Sequence, residues 1–348
     1  MAEKSSYKSQ VDAKSLQLTR NVLSKLPPYV TDYINSRMLS SSAKTLQQQA
    51  YSLRRFFAWL HQASPELSQQ PLSDISTDTL AALTARDFEE YLMFLQSDTK
   101  NRNGRAGASQ KLTAISSLLE YLYQHDDIPA NPCGKVKKPK LVKDKRIIYL
   151  TDAECVRLLD TIEYGSPDVT PHQLVYLEQT RCRDLAITTL MLDTGIRLSE
   201  CIGLNIEDVN LAERRIQVYR KGGKYQYLPI NNEVIEILDA YIRDRKQMSV
   251  SDPQHKKALF LSMQGKRISE EVIANMLRKY ALMAGITKNV TPHKLRKTYG
   301  TALYRKSRDI FMTANALGHE NVETTSKHYV DDDAESLREY VDKISIRS

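Results

Sequence analysis

Apolar positions recur along most of this chain at intervals of three and four, the spacing of helices that each bury one stripe. The clearest case follows Ser42. Leu46, Ala50, Leu53, Phe56, Phe57 and Leu60 fall on one face of a helix for which Ser42 is the natural N-cap. Ahead of it, Val11 to Leu39 is helical in pattern with a break at Pro27-Pro28, and the polar residues 1–10 are expected to be disordered. A further helix runs from Thr84 to Leu95, opened by Thr84 with Asp87 at the third position. TKNRNGRAGAS, residues 99–109, is polar and glycine-bearing and reads as a loop. SQKLTAISSLLEYLYQH then gives another strong helix, stopped by Pro132 and Gly134.

The second half opens on a capping pattern, Thr151 to Glu154, and a helix through Leu159. CRDLAITTLMLDTG is an apolar helix ended by Gly195, and IRLSECIGL starts a short new one. RRIQVYRKGGKYQYLPI alternates apolar and polar residues around Gly222-Gly223, the signature of a β-hairpin. Helices dominate from Asn232 onward. The expected fold class is therefore mainly α (α+β), helices with one small antiparallel sheet. Between the halves, Lys135 to Arg146 holds seven basic residues against one acid and has no helical or strand period. It reads as a linker, either simply solvated or lying on a polyanion. Twelve extended residues span about 40 Å.

Length and charge sharpen this picture. A chain of 348 residues suits two domains rather than one core. The net charge of +8 favours polyanionic partners. Cys133, Cys155, Cys182 and Cys201 form no CxxC pair and fit neither a zinc site nor a disulfide framework, as expected of reduced packing residues in a cytoplasmic protein. The N-terminus lacks an apolar signal region, and no apolar run approaches the length that spans a bilayer. Neither a metal nor a cofactor is expected, and no Walker loop is present.

Four short segments carry candidate chemistry. Gly195 to Glu200 places Arg197 and Glu200 one turn apart at a helix start; alone, this would pass for a surface ion pair. Tyr219 to Lys224 puts Arg220, Lys221 and Lys224 at a hairpin tip, where basic residues are usually just solvated. Thr291 to Arg296 sets His293 and Arg296 on one helical face, with Pro292 in the first turn. Leu317-Gly318-His319 is followed by Tyr329, one of nineteen tyrosines. Together they fit one task, metal-free cleavage of a phosphodiester. Two guanidiniums can fork onto the non-bridging oxygens of a crowded, doubly negative phosphorane. A tyrosine with an ordinary pKa near 10 needs positive charge or a base to attack. His293 can take that proton, Lys221 or its rival Lys224 can protonate the departing oxygen, His319 can bond a phosphate oxygen, and Glu200 can orient a neighbour. A phosphotyrosine link stores the bond energy, so rejoining needs no ATP.

The ordered set GIRLSE, RKGGK, HKLR, LGH and a late tyrosine resembles the tyrosine recombinase and phage integrase family, and the likeness runs along nearly the whole chain. Within it the chain is most similar to the Xer recombinases, of the XerS type, through LSKLPPYVTDYINSRML, CRDLAI before GIRLSE, and VTPHKLR. The resemblance implies an N-terminal extension with a helix (1–40), a helical SAM-like core-binding domain (41–134), a basic linker (135–149) and a catalytic domain with a C-terminal interaction helix (150–348). It makes Arg197, Lys221, His293, Arg296 and His319 the activating residues and Tyr329 the nucleophile, with Glu200 behind them. Two positions depart from the commonest pattern: Lys297 follows Arg296 where many members carry histidine, and ten positions separate His319 from Tyr329. The implied partner is double-stranded DNA carrying a specific site, gripped by a clamp and bound as a homotetramer on two duplexes. An accessory protein such as a DNA translocase is admitted, and a membrane is not. Arg102, Arg105, Lys111, Lys137, Lys138 and Lys140 are candidate DNA contacts. The implied role is Xer-type resolution of chromosome dimers at cell division. An integrase of a phage, plasmid or transposon is the alternative of the same chemistry, and a non-catalytic DNA-binding protein on the same scaffold is the alternative of another class. A type IB topoisomerase is chemically related but lacks the core-binding pattern.

Overall fold

In the computed structural model the chain divides into two compact units, Met1–Asp144 and Lys145–Ser348. The structure describes residues 7–99, 102–139, 148–166, 170–220 and 225–318, with the side chains of 172 and 173 set aside. The described residues are mostly helical with one three-stranded antiparallel sheet.

The first unit comprises α1 (Tyr7–Leu23), α2 (Pro28–Ser36), α3 (Ala43–Ala63), the short α4 (Thr77–Ala81), α5 (Ala85–Ser97) and α6 (Arg105–Gln124). Pro27 and Pro28 separate α1 from α2, because proline lacks the N–H a helix interior needs and fits the first turn. Ser42 caps α3 by accepting from the Thr45 N–H, and all six positions of its apolar stripe are buried. Phe56 sits at the centre of an aromatic cluster, 5.2 Å from Tyr91 and 5.9 Å from Phe88 between ring centroids. Val22 of α1, Leu26 between the helices, and Val30, Tyr33 and Ile34 of α2 belong to the same core as α3, α5 and α6. Asp87 accepts from the backbone N–H and the hydroxyl of Thr84, closing the expected cap of α5.

Some boundaries of the first unit differ from the sequence reading. Residues 7–10, expected to be disordered, are the first turn of α1. The segment 99–109, read as a loop, becomes helix at Arg105, because Ala108 is buried in the core and anchors a turn that glycine propensity alone disfavours.

The second unit contains α7 (Asp152–Tyr164), α8 (Pro171–Thr194), α9 (Leu198–Gly203), β1 (Val209–Asn210), β2 (Arg215–Tyr219), β3 (Tyr225–Pro229), α10 (Asn232–Gln247), α11 (Glu270–Met283), α12 (Pro292–Ser307) and α13 (Ile310–Leu317). Its central element is α8, whose Ala186, Ile187, Leu190 and Met191 are inaccessible to solvent and which packs against α7, α10 and α12. The sheet order is β1-β2-β3, with Ile216 opposite both Val209 and Leu228. Two-residue β1 carries too little pattern to be seen in sequence. Helix α7 runs a turn and a half beyond Leu159, because Ile162 is buried under it. From Met248 to Ser269 the chain is irregular apart from a 3-10 turn at Pro253–His255, and is held by the bridges Asn205 to Ala258 and Leu261 to Arg267.

Two buried arginines brace this unit. Arg183 donates to Asp184 Oδ1 at 2.6 and 2.9 Å and to the Leu261 carbonyl at 3.0 Å, and the Tyr280 hydroxyl donates to Asp184 Oδ2. Arg245 donates to the carbonyls of Ala258 and Lys256. Each thus finds the partners a buried guanidinium requires. The four cysteines are free thiols. Burial pushes Cys133, Cys155 and Cys182 up to about 11 and Cys201 up to about 12, which suits packing roles.

Candidate active site

The candidate residues are placed by the ends of helices. Helix α8 stops at Gly195, whose φ of +59° belongs to the left-handed region that favours glycine. A Cβ there would lie 2.4 Å from the Tyr299 ring, so the turn also needs an absent side chain. The chain then reverses into α9, with Arg197 at its N-cap position. Glu200 reaches back: its Oε2 accepts from the Arg197 N–H at 3.0 Å, and its Oε1 from Arg197 Nη1 at 2.8 Å. The Glu200 side chain is 4% exposed and that of Arg197 33%. This is therefore not a solvated surface pair. The carboxylate holds the Nη1 end of the guanidinium, and the side chain as a whole stays one-third exposed.

Helix α12 begins at Thr291, which caps it by accepting from the Lys294 N–H, with Pro292 in the first turn. His293 is exposed on that turn, and Arg296, one turn further, is buried. Arg296 Nη1 donates to the Gly195 carbonyl at 2.5 Å, and Nη2 donates to the Leu317 carbonyl. Arg197 Nη2 donates to the next carbonyl, Gly318, at 2.7 Å. A third guanidinium joins them: Arg220 Nη2 donates to the Ala316 carbonyl at 3.0 Å. The last carbonyls of α13 thus receive guanidiniums from α9, α12 and the end of β2. Helix C-termini carry unpaired carbonyls and partial negative charge, so cations settle there. Helix α13 ends in a left-handed Gly318, with φ +62°.

The structure thus brings Arg197, Glu200 and Arg296 together and places His293 one turn ahead of Arg296. Lys221, His319 and Tyr329, like Lys224 and the C-terminal helix, lie outside the described residues. Lys221 directly follows Arg220 in the chain, and His319 directly follows Gly318. Of the candidate DNA contacts, Arg102, Arg105, Lys137 and Lys138 are exposed, and Lys140 lies outside the described residues. Lys111 is half-buried; its Nζ donates to Asn103 Oδ1 at 2.6 Å, and burial together with the nearby Arg55 charge pulls its pKa down.

Arg220 is the residue that sequence reasoning missed. A basic hairpin tip suggested solvent, yet Arg220 is 6% exposed. The signal was present in the strand period: Ile216, Val218 and Arg220 alternate onto one buried face. Among the described residues, no group of three or more histidine, cysteine, aspartate or glutamate side chains could hold a metal ion. No helix of the described residues is long and apolar enough to cross a membrane.

Helix-end turns, paired arginines and a mostly helical frame with a small sheet define the class. Residues 149–336 match the model of the phage integrase family, and the chain belongs to that family: it is a tyrosine recombinase. It is 31% identical to the tyrosine recombinase XerC of Caldanaerobacter subterraneus over 92% of this chain and 87% of that protein. It is 30% identical to the tyrosine recombinase XerS of Streptococcus uberis over 88% of this chain and 93% of that protein. Among solved structures the fold is similar to the XerH site-specific recombinase bound to a difH substrate, with TM-score 0.63 and 18% identity over 93% of this chain and 96% of that one. It is also similar to the Tn1549 transposon integrase in complex with DNA, with TM-score 0.65 and 18% identity over 91% of this chain and 98% of that one.

Proposed function

We propose that this tyrosine recombinase cuts and rejoins DNA at a specific site through a 3′-phosphotyrosyl link at Tyr329. The observation that carries the reading is the convergence of Arg197 and Arg296, from separate helices, on the consecutive carbonyls Leu317 and Gly318. A scissile phosphate beside that turn meets two forked cations whose positions are already fixed. The Tyr329 oxygen attacks phosphorus and gives its proton to His293. The bond to the 5′-oxygen breaks, and that oxygen takes a proton from Lys221. His319 bonds a non-bridging oxygen, and Glu200 holds Arg197 in line. Attack by a 5′-hydroxyl of the exchanged strand reverses the step and frees the tyrosine.

Relatives named XerC and XerS, at about 30% identity over most of both chains, support a Xer-type role. In this reading four copies act on two duplexes in the cytoplasm to resolve chromosome dimers at cell division, with a DNA translocase as accessory. The first unit and the basic linker supply phosphate contacts through Arg102, Arg105, Lys111, Lys137, Lys138 and Lys140, so affinity falls steeply with salt.

The test begins with the duplex that the protein selects from a randomised DNA pool. Presented with a nicked suicide version of that duplex in EDTA, the protein should become covalently joined to DNA, and the DNA-linked peptide should contain Tyr329. A link at another residue, or a strict magnesium requirement, overturns the scheme. Recombination at a site near the replication terminus marks the Xer role; recombination only at a mobile element's attachment site makes the protein an integrase instead.

A further inference from the structure

The phosphate scheme uses two arginines and leaves the third unexplained. Arg220 is buried, and only its Nη2 is paired, to the Ala316 carbonyl. Its Nε and Nη1 are buried and make no hydrogen bond. The guanidinium occupies the space a side chain at Gly318 would need: a Cβ there would stand 1.3 Å from Nη1 and 2.4 Å from Cζ. Burial, with the neighbouring Arg197 charge, pulls its pKa below the ordinary guanidinium value, and Glu200 offsets this only in part. Buried donors left unmade are costly, and a neutral chain of similar length would pack here without them. Arg183 and Arg245 in the same unit show that this fold pairs its structural arginines well.

We propose that Arg220 is a positioning residue for strand cleavage: it clamps the left-handed turn at Gly318 to the end of β2, so that the segments leading into His319 and Lys221 are held in register. It acts through the turn rather than on the phosphate. The three guanidiniums take Ala316, Leu317 and Gly318 in succession, so releasing the first lets the turn on which Arg197 and Arg296 rest shift away. The catalytic part of this inference rests on the recombinase mechanism proposed above; the clamp itself does not.

Full-length variants separate the two. Arg220→Met should keep its melting temperature within about 2 °C of the parent or raise it. It should bind the selected duplex within about twofold, yet form the covalent adduct at least about tenfold more slowly in single turnover. Arg220→Lys should recover part of that rate. An adduct rate unchanged in Arg220→Met, or a loss matched by equal losses of melting temperature and binding, overturns the positioning role. The clamp is read by stability alone. Gly318→Ala should lower the melting temperature by several degrees in the parent, and by less than about half as much in Arg220→Ala, where the clash is gone. Equal losses in both backgrounds overturn the clamp, whatever DNA cleavage shows. A parent that forms no adduct, beside a cycle that is strongly coupled, overturns the cleavage mechanism and the positioning role while leaving the clamp standing.

Discussion

The second unit holds two clusters of buried arginine, and they are built to opposite rules. Around Arg183 and Arg245, guanidiniums find carboxylate or carbonyl partners on several N–H groups, and Tyr280 completes the carboxylate of Asp184. Around the end of α13, three guanidiniums crowd within one turn, Arg197 stays one-third exposed, and Arg220 keeps two buried groups unpaired. Like charges drawn together destabilise a fold unless an anion arrives. The first cluster is complete without a ligand; in the mechanism proposed above, the second receives the scissile phosphate. What separates the two clusters is crowding: Arg183 and Arg245 each hold their own partners, whereas Arg197, Arg220 and Arg296 converge on the successive carbonyls of one turn.

The comparison is broken most severely at the second cluster. Arg197→Ala or Arg296→Ala should slow adduct formation by several orders of magnitude, since each removes charge-assisted bonds formed to the transition state. Binding of the selected duplex, measured by mobility shift, should change far less. At the first cluster the effect should fall on folding instead. Arg183→Met strands Asp184 in the interior and should cost about 3–5 kcal/mol in denaturant unfolding. If Arg183→Met unfolds no more easily than the parent, the division between the clusters is wrong. In the first unit, Phe56→Ala should cost a similar 3–5 kcal/mol by opening the aromatic core, which calibrates the Arg183 result.

A smaller effect sharpens the frame around the site. Glu154 caps α7 and pairs with Lys288 at 2.6 Å, and Lys288 also bonds the Tyr149 carbonyl. Burial works to raise the Glu154 pKa, but the Lys288 bond and charge together with the Thr151 bonds outweigh it and hold the pKa below its ordinary value. A depressed carboxylate contributes stability above the unfolded value, and the contribution is lost as pH falls through the folded one. Glu154→Gln should therefore be less stable than the parent at neutral pH, and the gap should close on acidification below the ordinary carboxylate range. Thr151→Ala should cost about 1 kcal/mol at neutral pH. Chemical denaturation at several pH values reads both.

Much of this was legible in the residues. Ser42 and Thr151 mark their helix starts with a side-chain oxygen that accepts from the third residue on, and Thr84 with Asp87, which accepts from its N–H; such bonds answer a local need that no tertiary contact has to supply. The stripe from Leu46 to Leu60 is legible for the same reason: period and burial are one fact. Gly195 announced the turn that delivers Arg197. The pairing of Arg197 with Glu200 was visible, but its burial was not, since that depends on α13 arriving from far along the chain. Likewise α6 starts early because Ala108 is needed in the core, and β1 exists only because Ile216 has a neighbour on its far side. The convergence of three guanidiniums on successive carbonyls is a property of packed helix ends, which no local pattern carries.

In the proposed mechanism Arg197 and Arg296 offset the negative charge of the scissile phosphate. The most direct test replaces that phosphate with a methylphosphonate, which lacks one negative charge, in the selected suicide duplex. The account predicts that the cleavage defects of Arg197→Ala and Arg296→Ala shrink at least about tenfold on the uncharged substrate. Defects of the same size on both substrates would mean that these arginines serve the fold and not the phosphate.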